Sequence, residues 1–356
     1  MSGITKRGKP VSSRRLGVLI GGGDCPGLNS ALRAVVRRAQ LENIEVLGIK
    51  NGWRGLAEGD VEPLTRMSIR GIQNRGGIIL GTSRLNPLFN SLCLEAIHRN
   101  WLRFGLDSLV VIGGNGTLSG AARMWRERGL PIVGIPATID NDIPMTDYTI
   151  GFHTAVSVAT EAIERLHTTA EARHEIVVTE VMGGRTGWIA AYAGLAGSAN
   201  VILVPEHPFR MSRLCQLLSH REEMGYAHSQ VVIAEAAMPH PDEDFLTTEQ
   251  RERVSKERYQ TGIGIPVARE IERLTGIMTR VSILGPMLMG GSPNAYDRIL
   301  GSRFGLYAVE MAAQGTFGHM VAIRGEDVIH VALEDIADKI RPLNQRIYEE
   351  VEVFYA

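Results

Sequence analysis

Short apolar runs alternate with helix-period segments along nearly the whole 356-residue chain. Leu16–Ile20 reads as a buried strand. The segment behind it sets Leu28, Ala31, Leu32, Val35 and Val36 on one face, at the spacing of an amphipathic helix. Glu45–Ile49, Leu109–Ile112 and Ile132–Ile135 are further strands, with helices over Ser91–Phe104 and Leu118–Arg128. A second alternating set begins with helix His153–Thr169, strand Ile176–Val181 and helix Trp188–Leu195. Strand Val201–Val204, helix Met211–Glu223 and strand Gln230–Ala234 continue it. The charged stretch Pro239–Arg258 reads as a surface excursion, after which come helix Gly264–Leu274, strand Val281–Leu284, helix Asp297–Ala313 and strand His319–Ile323. Alternation of this kind predicts an α/β fold of two lobes, each a mainly parallel sheet with helices on both faces.

Length agrees, because 356 residues exceed one typical core. A formal net charge of −1 excludes a general nucleic-acid or acidic-membrane binder. Cys25, Cys93 and Cys215 are too few and too scattered for a disulfide framework or a zinc site. No apolar run reaches membrane-spanning length, and Met1–Arg15 is a basic polar stretch without the apolar core of a signal peptide. These features predict a cytoplasmic protein with no nucleic-acid or membrane partner.

Candidate chemistry sits at the ends of the strands. Asp140 and Asp142 lie two residues apart just past the run Pro131–Ile135, where one carboxylate can accept a proton while the other holds a metal. Alone the motif is weak, since most such clusters are solvated turns. The 40 glycines change the picture, because many cluster at strand ends. Gly21-Gly22-Gly23-Asp24-Cys25-Pro26-Gly27 links the first strand to the first helix, and its amides suit a phosphate chain. Its spacing matches neither the dinucleotide fingerprint nor the Walker loop, so a plain tight turn is the competing reading. Gly113-Gly114-Asn115-Gly116-Thr117 follows another strand. Three such loops on one edge of a parallel sheet favour a nucleotide lying across it.

These residues resemble the 6-phosphofructokinase family over about Leu16 to Ala337. The resemblance rests on Gly-Gly-Asp-Cys-Pro-Gly-Leu-Asn at 22–29, Arg-Gly-Gly at 75–77, Thr-Ser-Arg at 82–84 and Gly-Gly-Asn-Gly-Thr at 113–117. Thr-Ile-Asp-Asn-Asp at 138–142, Glu-Val-Met-Gly at 180–183 and Gly-Gly-Ser-Pro…Asp-Arg at 290–298 continue it. The resemblance implies an ATP-dependent phosphotransferase with Mg²⁺ as cofactor. Asp140 would be the general base, Asp142 a metal ligand, and Thr138 a contact to the substrate or the moving phosphoryl group. Gly22, Gly23, Cys25, Arg84, Asn115, Gly116 and Thr117 would line the nucleotide side. Gly116 and Ala137 match the ATP-using type, because pyrophosphate users usually carry aspartate and lysine there. It also implies a homodimer or homotetramer with acceptor sites built across subunits. The lobes divide as a disordered tail (1–14), a nucleotide lobe (15–150, joined by part of the C-terminal segment), an acceptor lobe (151–325) and a C-terminal helical segment (326–356).

Departures from the family pattern concentrate on metal and acceptor. Asn115 stands where a magnesium-linked aspartate is usual, so metal affinity should drop. Among the acceptor residues, Met182, Glu235 and Arg280 are retained. Glu175 replaces an arginine, Gly184 takes an arginine position with Arg185 one residue later, Pro286 replaces a histidine and Met289 an arginine. Met289 alone could equally be core packing. Each lost charge-assisted hydrogen bond to phosphate is worth roughly 1.5–3 kcal/mol, and Glu175 would repel a dianion. The expectation is therefore phosphoryl transfer to a sugar, polyol, cyclitol or nucleoside hydroxyl other than fructose 6-phosphate. Ordinary 6-phosphofructokinase activity, with Arg280 and Arg185 holding the phosphate, is the alternative. A non-catalytic ligand-binding subunit, favoured by Asn115 alone, is the third.

Overall fold

A computed structural model describes residues 14–83, 85, 91–226, 228–256 and 262–355. The first half carries strands β1 (Arg15–Gly21), β2 (Glu45–Ile49), β3 (Val61–Leu64), β4 (Ser108–Gly113), β5 (Ile132–Thr138) and β6 (Ile150–Gly151). Its helices are α1 (Leu28–Leu41), α2 (Gly52–Glu58), α3 (Ser91–Phe104), α4 (Asn115–Arg128) and α5 (Phe152–Arg173). The second half carries β7 (Ile176–Val181), β8 (Val201–Leu203), β9 (Ser229–Ala234), β10 (Thr279–Ile283), β11 (His319–Arg324) and β12 (Asp327–Ala332). Its helices are α6 (Trp188–Ala196), α7 (Met211–Glu223), α8 (Thr248–Lys256), α9 (Gly264–Thr275), α10 (Ala295–Gln314), α11 (Leu333–Ile336) and α12 (Gln345–Glu352).

Two sheets result, as the alternation predicts. The larger runs β12-β11-β5-β4-β1-β2-β3, with β6 beside β5, and the smaller runs β10-β7-β9-β8. All neighbours are parallel except the outer pairs β2–β3 and β11–β12. The central strands β1 and β4 are buried from their second and first residue onward respectively, which is why they read as continuous apolar runs. In α1 the buried face includes Leu28, Leu32, Val35 and Val36; full burial of each is worth about 1.5–3 kcal/mol.

The chain returns to the larger sheet earlier than the sequence division supposes. β11 pairs with β5, so the boundary at 325 falls at a strand of the first sheet, and the segment 326–356 opens with β12 rather than a helix. The cue for β12 is a two-residue turn, Gly325-Glu326, between runs that pair Arg324 with Asp327; Gly325 takes φ 56° there. The excursion at Pro239–Arg258 contains α8, a polar helix without an apolar stripe. Among the described residues no helix is long and apolar enough to cross a membrane.

Helix α10 bridges the lobes by lying against α1 at backbone distance. A Cβ on Gly305 would sit 2.5 Å from the Ala31 carbonyl oxygen and 2.7 Å from the Ala34 Cβ. Gly305→Leu should therefore push the two helices apart and cost about 1–3 kcal/mol, read as a lower urea midpoint at unchanged m-value.

Candidate active site

Strands β4, β1 and β2 are neighbours in that order, so the chain leaves β1 for one side of the sheet and returns to β4 on the other. Crevices beyond the carboxyl ends of strands at such a reversal are where α/β sheets take ligands. The register pairs Gly21 with Gly113 and Gly113 with Pro136, so the two glycine loops leave the sheet at one level and the third loop two residues beyond it, on the same edge. Gly22 (φ 88°) is pinned by its N–H to the Ser83 carbonyl at 3.4 Å and by Thr82 Oγ1 donating to its carbonyl at 2.8 Å. Among the described residues, a Cβ on Gly23 would meet nothing within 4 Å. The Cys25 thiol is 1% exposed and donates to the Ile150 carbonyl at 3.3 Å; burial first, then nearby carboxylates, pushes its pKa well up. Cys25 can thus serve a nucleotide through its backbone, not as a thiolate. Helix α4 starts at Asn115 with its positive dipole end on the crevice and the exposed Gly116 in its first turn. Thr117 is buried, packed against Gly21 and Gly113, so it supports both loops from beneath. Arg84 lies outside the described residues.

The base loop leaves β5 at Thr138, whose Oγ1 accepts the Asp140 N–H at 3.2 Å. Asn141 between the two aspartates takes φ 52°, a left-handed turn that asparagine tolerates. It is wholly buried: its Oδ1 accepts the Thr149 N–H at 3.1 Å, and its Nδ2 donates to the Asp147 carbonyl at 3.3 Å. Across from the loop, Asn115 Nδ2 donates to the Asp142 carbonyl at 3.5 Å, and Asn115 Oδ1 is buried with no hydrogen-bond partner among the described residues.

The carboxyl edge of the smaller sheet faces this loop. Glu235, at the end of β9, is buried and accepts the N–H groups of Gly183 and Gly184 at 3.2 and 2.9 Å. Gly184 has φ 61°, and a Cβ there would lie 2.8 Å from Asp140 Oδ2, so the position admits no side chain without moving the base. Thr186 Oγ1 donates to the Asp140 carbonyl at 3.3 Å. Met182 is buried beside them, and Arg185 is exposed with no ion pair among the described residues. Leu284 N–H donates to the Glu180 carbonyl at 3.0 Å, setting the 3₁₀ turn Gly285–Met289 on the same edge; Pro286 is exposed and Met289 packs against the core.

Glu175 and Arg280 do not join this group. Glu175 precedes β7 and Arg280 is paired with Val177, so both stand toward the opposite edge of the sheet from Met182, roughly 23 Å and 17 Å away along an extended strand. There Arg280 Nε donates to the buried Glu175 carboxylate at 2.7 Å. The supposed ring of altered acceptor residues is therefore two separate groups in one chain.

A phosphofructokinase family model matches residues 15–312. The chain belongs to the phosphofructokinase family. It is 46% identical over 342 residues to a pyrophosphate–fructose 6-phosphate 1-phosphotransferase of Streptomyces coelicolor, covering 96% of this chain and 99% of the relative. An ATP-dependent 6-phosphofructokinase of the same organism is 44% identical over 339 residues, covering 95% and 99%. Phosphofructokinase from Saccharomyces cerevisiae superposes with a TM-score of 0.79 at 26% identity, over 96% of this chain and 46% of the yeast chain. The site is that of a phosphofructokinase-like kinase acting on a hydroxyl.

Two buried residues of the phosphofructokinase site carry no role in the sequence reading. Asn141 is hidden between two more conspicuous aspartates. Asp297, fully buried in the first turn of α10, accepts the N–H groups of Gly151 and Thr154 at 2.9 and 2.7 Å and the Thr154 hydroxyl at 2.5 Å. Burial raises its pKa against the pull of those hydrogen bonds. Asp297→Ala should strand three buried donors and cost about 3 kcal/mol or more, measured by urea unfolding beside Asp297→Asn, which keeps one acceptor oxygen and loses less.

Proposed function

We propose that this chain is an ATP-dependent 6-phosphofructokinase, moving the γ-phosphoryl group of ATP to a hydroxyl of fructose 6-phosphate. The observation that carries the reading is the meeting of two strand-end edges at Asp140: nucleotide loops on one side, Gly184 and Glu235 on the other. Asp140 takes the hydroxyl proton as the oxygen attacks phosphorus. The loop amides and the α4 N-terminus offset charge on the phosphate chain, so catalysis is chiefly positioning and electrostatics.

The expectation of a different acceptor is overturned. Relatives 44–46% identical over nearly the whole chain are named for fructose 6-phosphate whichever donor they use. Arg185 supplies positive charge beside Gly184. Arg280, half exposed on edge strand β10, suits contact with a neighbouring copy in a homodimer or homotetramer; Ile283 at the other end of that strand and Met287 in the following turn are 47% and 67% exposed. For the donor, relatives of both kinds are near-equal, and the choice rests on residues: Gly116 has no side chain and Ala137 a small one, leaving space that a charged residue would fill.

Magnesium fits the residues present. Asn115 Oδ1 is a buried oxygen with no partner among the described residues, and Asp142 is its neighbour. Mg²⁺ commonly binds through one or two protein oxygens, substrate phosphates and water. Held by Asp142 and Asn115, the ion would offset charge on the ATP phosphates. The neutral Asn115 makes that hold looser than a second carboxylate.

Steady-state kinetics test the reading. Fructose 6-phosphate should saturate the enzyme with Mg·ATP, and pyrophosphate should not replace ATP; saturation with pyrophosphate alone would reverse the donor assignment, and no turnover of fructose 6-phosphate would end the proposal. Arg185→Ala should raise KM for fructose 6-phosphate roughly 10- to 150-fold, the equivalent of one charge-assisted hydrogen bond, while KM for ATP stays put. An unchanged acceptor KM would remove Arg185 from the site.

A further inference from the structure

The base loop carries the carbonyls of Asn141, Asp142, Thr146 and Asp147 outside the strands that flank it. Buried carbonyls need donors, and one residue nearly 200 positions away supplies five of the bonds. Arg341, on the segment between α11 and α12, donates its backbone N–H to the Asp142 carbonyl at 2.8 Å. Its Nε and Nη2 both reach the Asn141 carbonyl, at 3.2 and 3.1 Å. Nη1 reaches the Thr146 carbonyl at 2.5 Å, and Nη2 also reaches that of Asp147 at 2.9 Å. A planar guanidinium with five N–H groups can fan out to several acceptors at once, which a lysine ammonium cannot.

The other face of the same guanidinium lies over the Trp188 ring, 4.4 Å from its centroid, and Trp188 Nε1 donates back to the Arg341 carbonyl at 3.1 Å. Trp188 opens α6 in the second lobe. Two further bonds hold the segment: Asp338 N–H donates to Ser119 Oγ on α4 at 3.0 Å, and Leu343 N–H to Glu206 at 2.8 Å, a carboxylate that also caps Gly187 at the start of α6. The segment thus touches the nucleotide helix, the base loop and the acceptor lobe in six residues.

We infer that Arg341 is a positioning residue: it fixes the Asn141 turn, and with it the Asp140 and Asp142 carboxylates, against the acceptor lobe through Trp188. The inference rests on the phosphotransferase reading only for its kinetic consequence. The loop's order is independent of which acceptor is used.

The test compares the full-length protein with Arg341→Ala, Arg341→Lys and, as a control, Arg346→Ala, whose side chain is 85% exposed. In Arg341→Ala, amide hydrogen exchange over 139–149 should accelerate and kcat should fall about 10- to 100-fold, with KM for ATP within about twofold. Millimolar guanidinium should restore both, because the deleted group leaves a space of its own shape beside Trp188. Arg341→Lys should not regain the loss, and Arg346→Ala should match wild type. Unaltered loop exchange in Arg341→Ala would overturn the inference, as would a loss that follows only a general fall in melting temperature and ignores guanidinium. Exchange controlled by Arg341 in a protein that ignores fructose 6-phosphate would sink the acceptor reading and leave the positioning role standing.

Discussion

One buried carboxylate holds the site's geometry together. Asp297 sits in the first turn of α10 with no exposed surface, and its oxygens cap the start of α5 through Gly151 and Thr154. A negative charge at two helix N-termini is favourable to both, and three donors offset much of its desolvation. A Cβ on Gly27, at the head of α1, would lie 3.3 Å from the Asp297 Cβ and backbone carbonyl oxygen, so the start of the nucleotide loop's helix packs on the same residue. Gly151 in turn pairs with Thr138 of β5, the residue from which the base loop departs. Nucleotide loop, base loop and interlobe helix are therefore all measured from one atom group.

Rigid strand ends then do what loops alone could not. The two sheets present their carboxyl edges to each other, and the gap between Gly184 and Asp140 is too small for a methyl group. Asn141 makes the loop's sharp turn in the left-handed region, directly after the aspartate that approaches Gly184.

Much of this was legible in the chain, and for physical reasons. Buried parallel strands are unbroken apolar runs, and the glycine loops mark their ends, so the strands themselves and the clustering of loops at one edge follow from pattern and connection rules. Contacts across long separations were not legible. Arg341 meets Asn141 across 200 residues and Asp297 meets Thr154 across 143; neither pair shares a local pattern. Short or edge elements such as β6 and β12 were also silent, because a two-residue strand has no periodicity and a half-exposed one has no apolar run.

The acceptor side shows why counting substituted residues misleads. Glu175, Gly184, Pro286 and Met289 look like one altered pocket when read against a family pattern. In the folded chain Glu175 neutralises Arg280 at the far edge of the smaller sheet, while the other three lie near the base. Within one chain Glu175 stands roughly 23 Å from Met182 along the extended strand, so the substituted positions belong to two different edges of the sheet. On the Asp140 edge, Gly184 answers to the backbone and Met289 to the core, while Arg185 follows Gly184 with its side chain exposed.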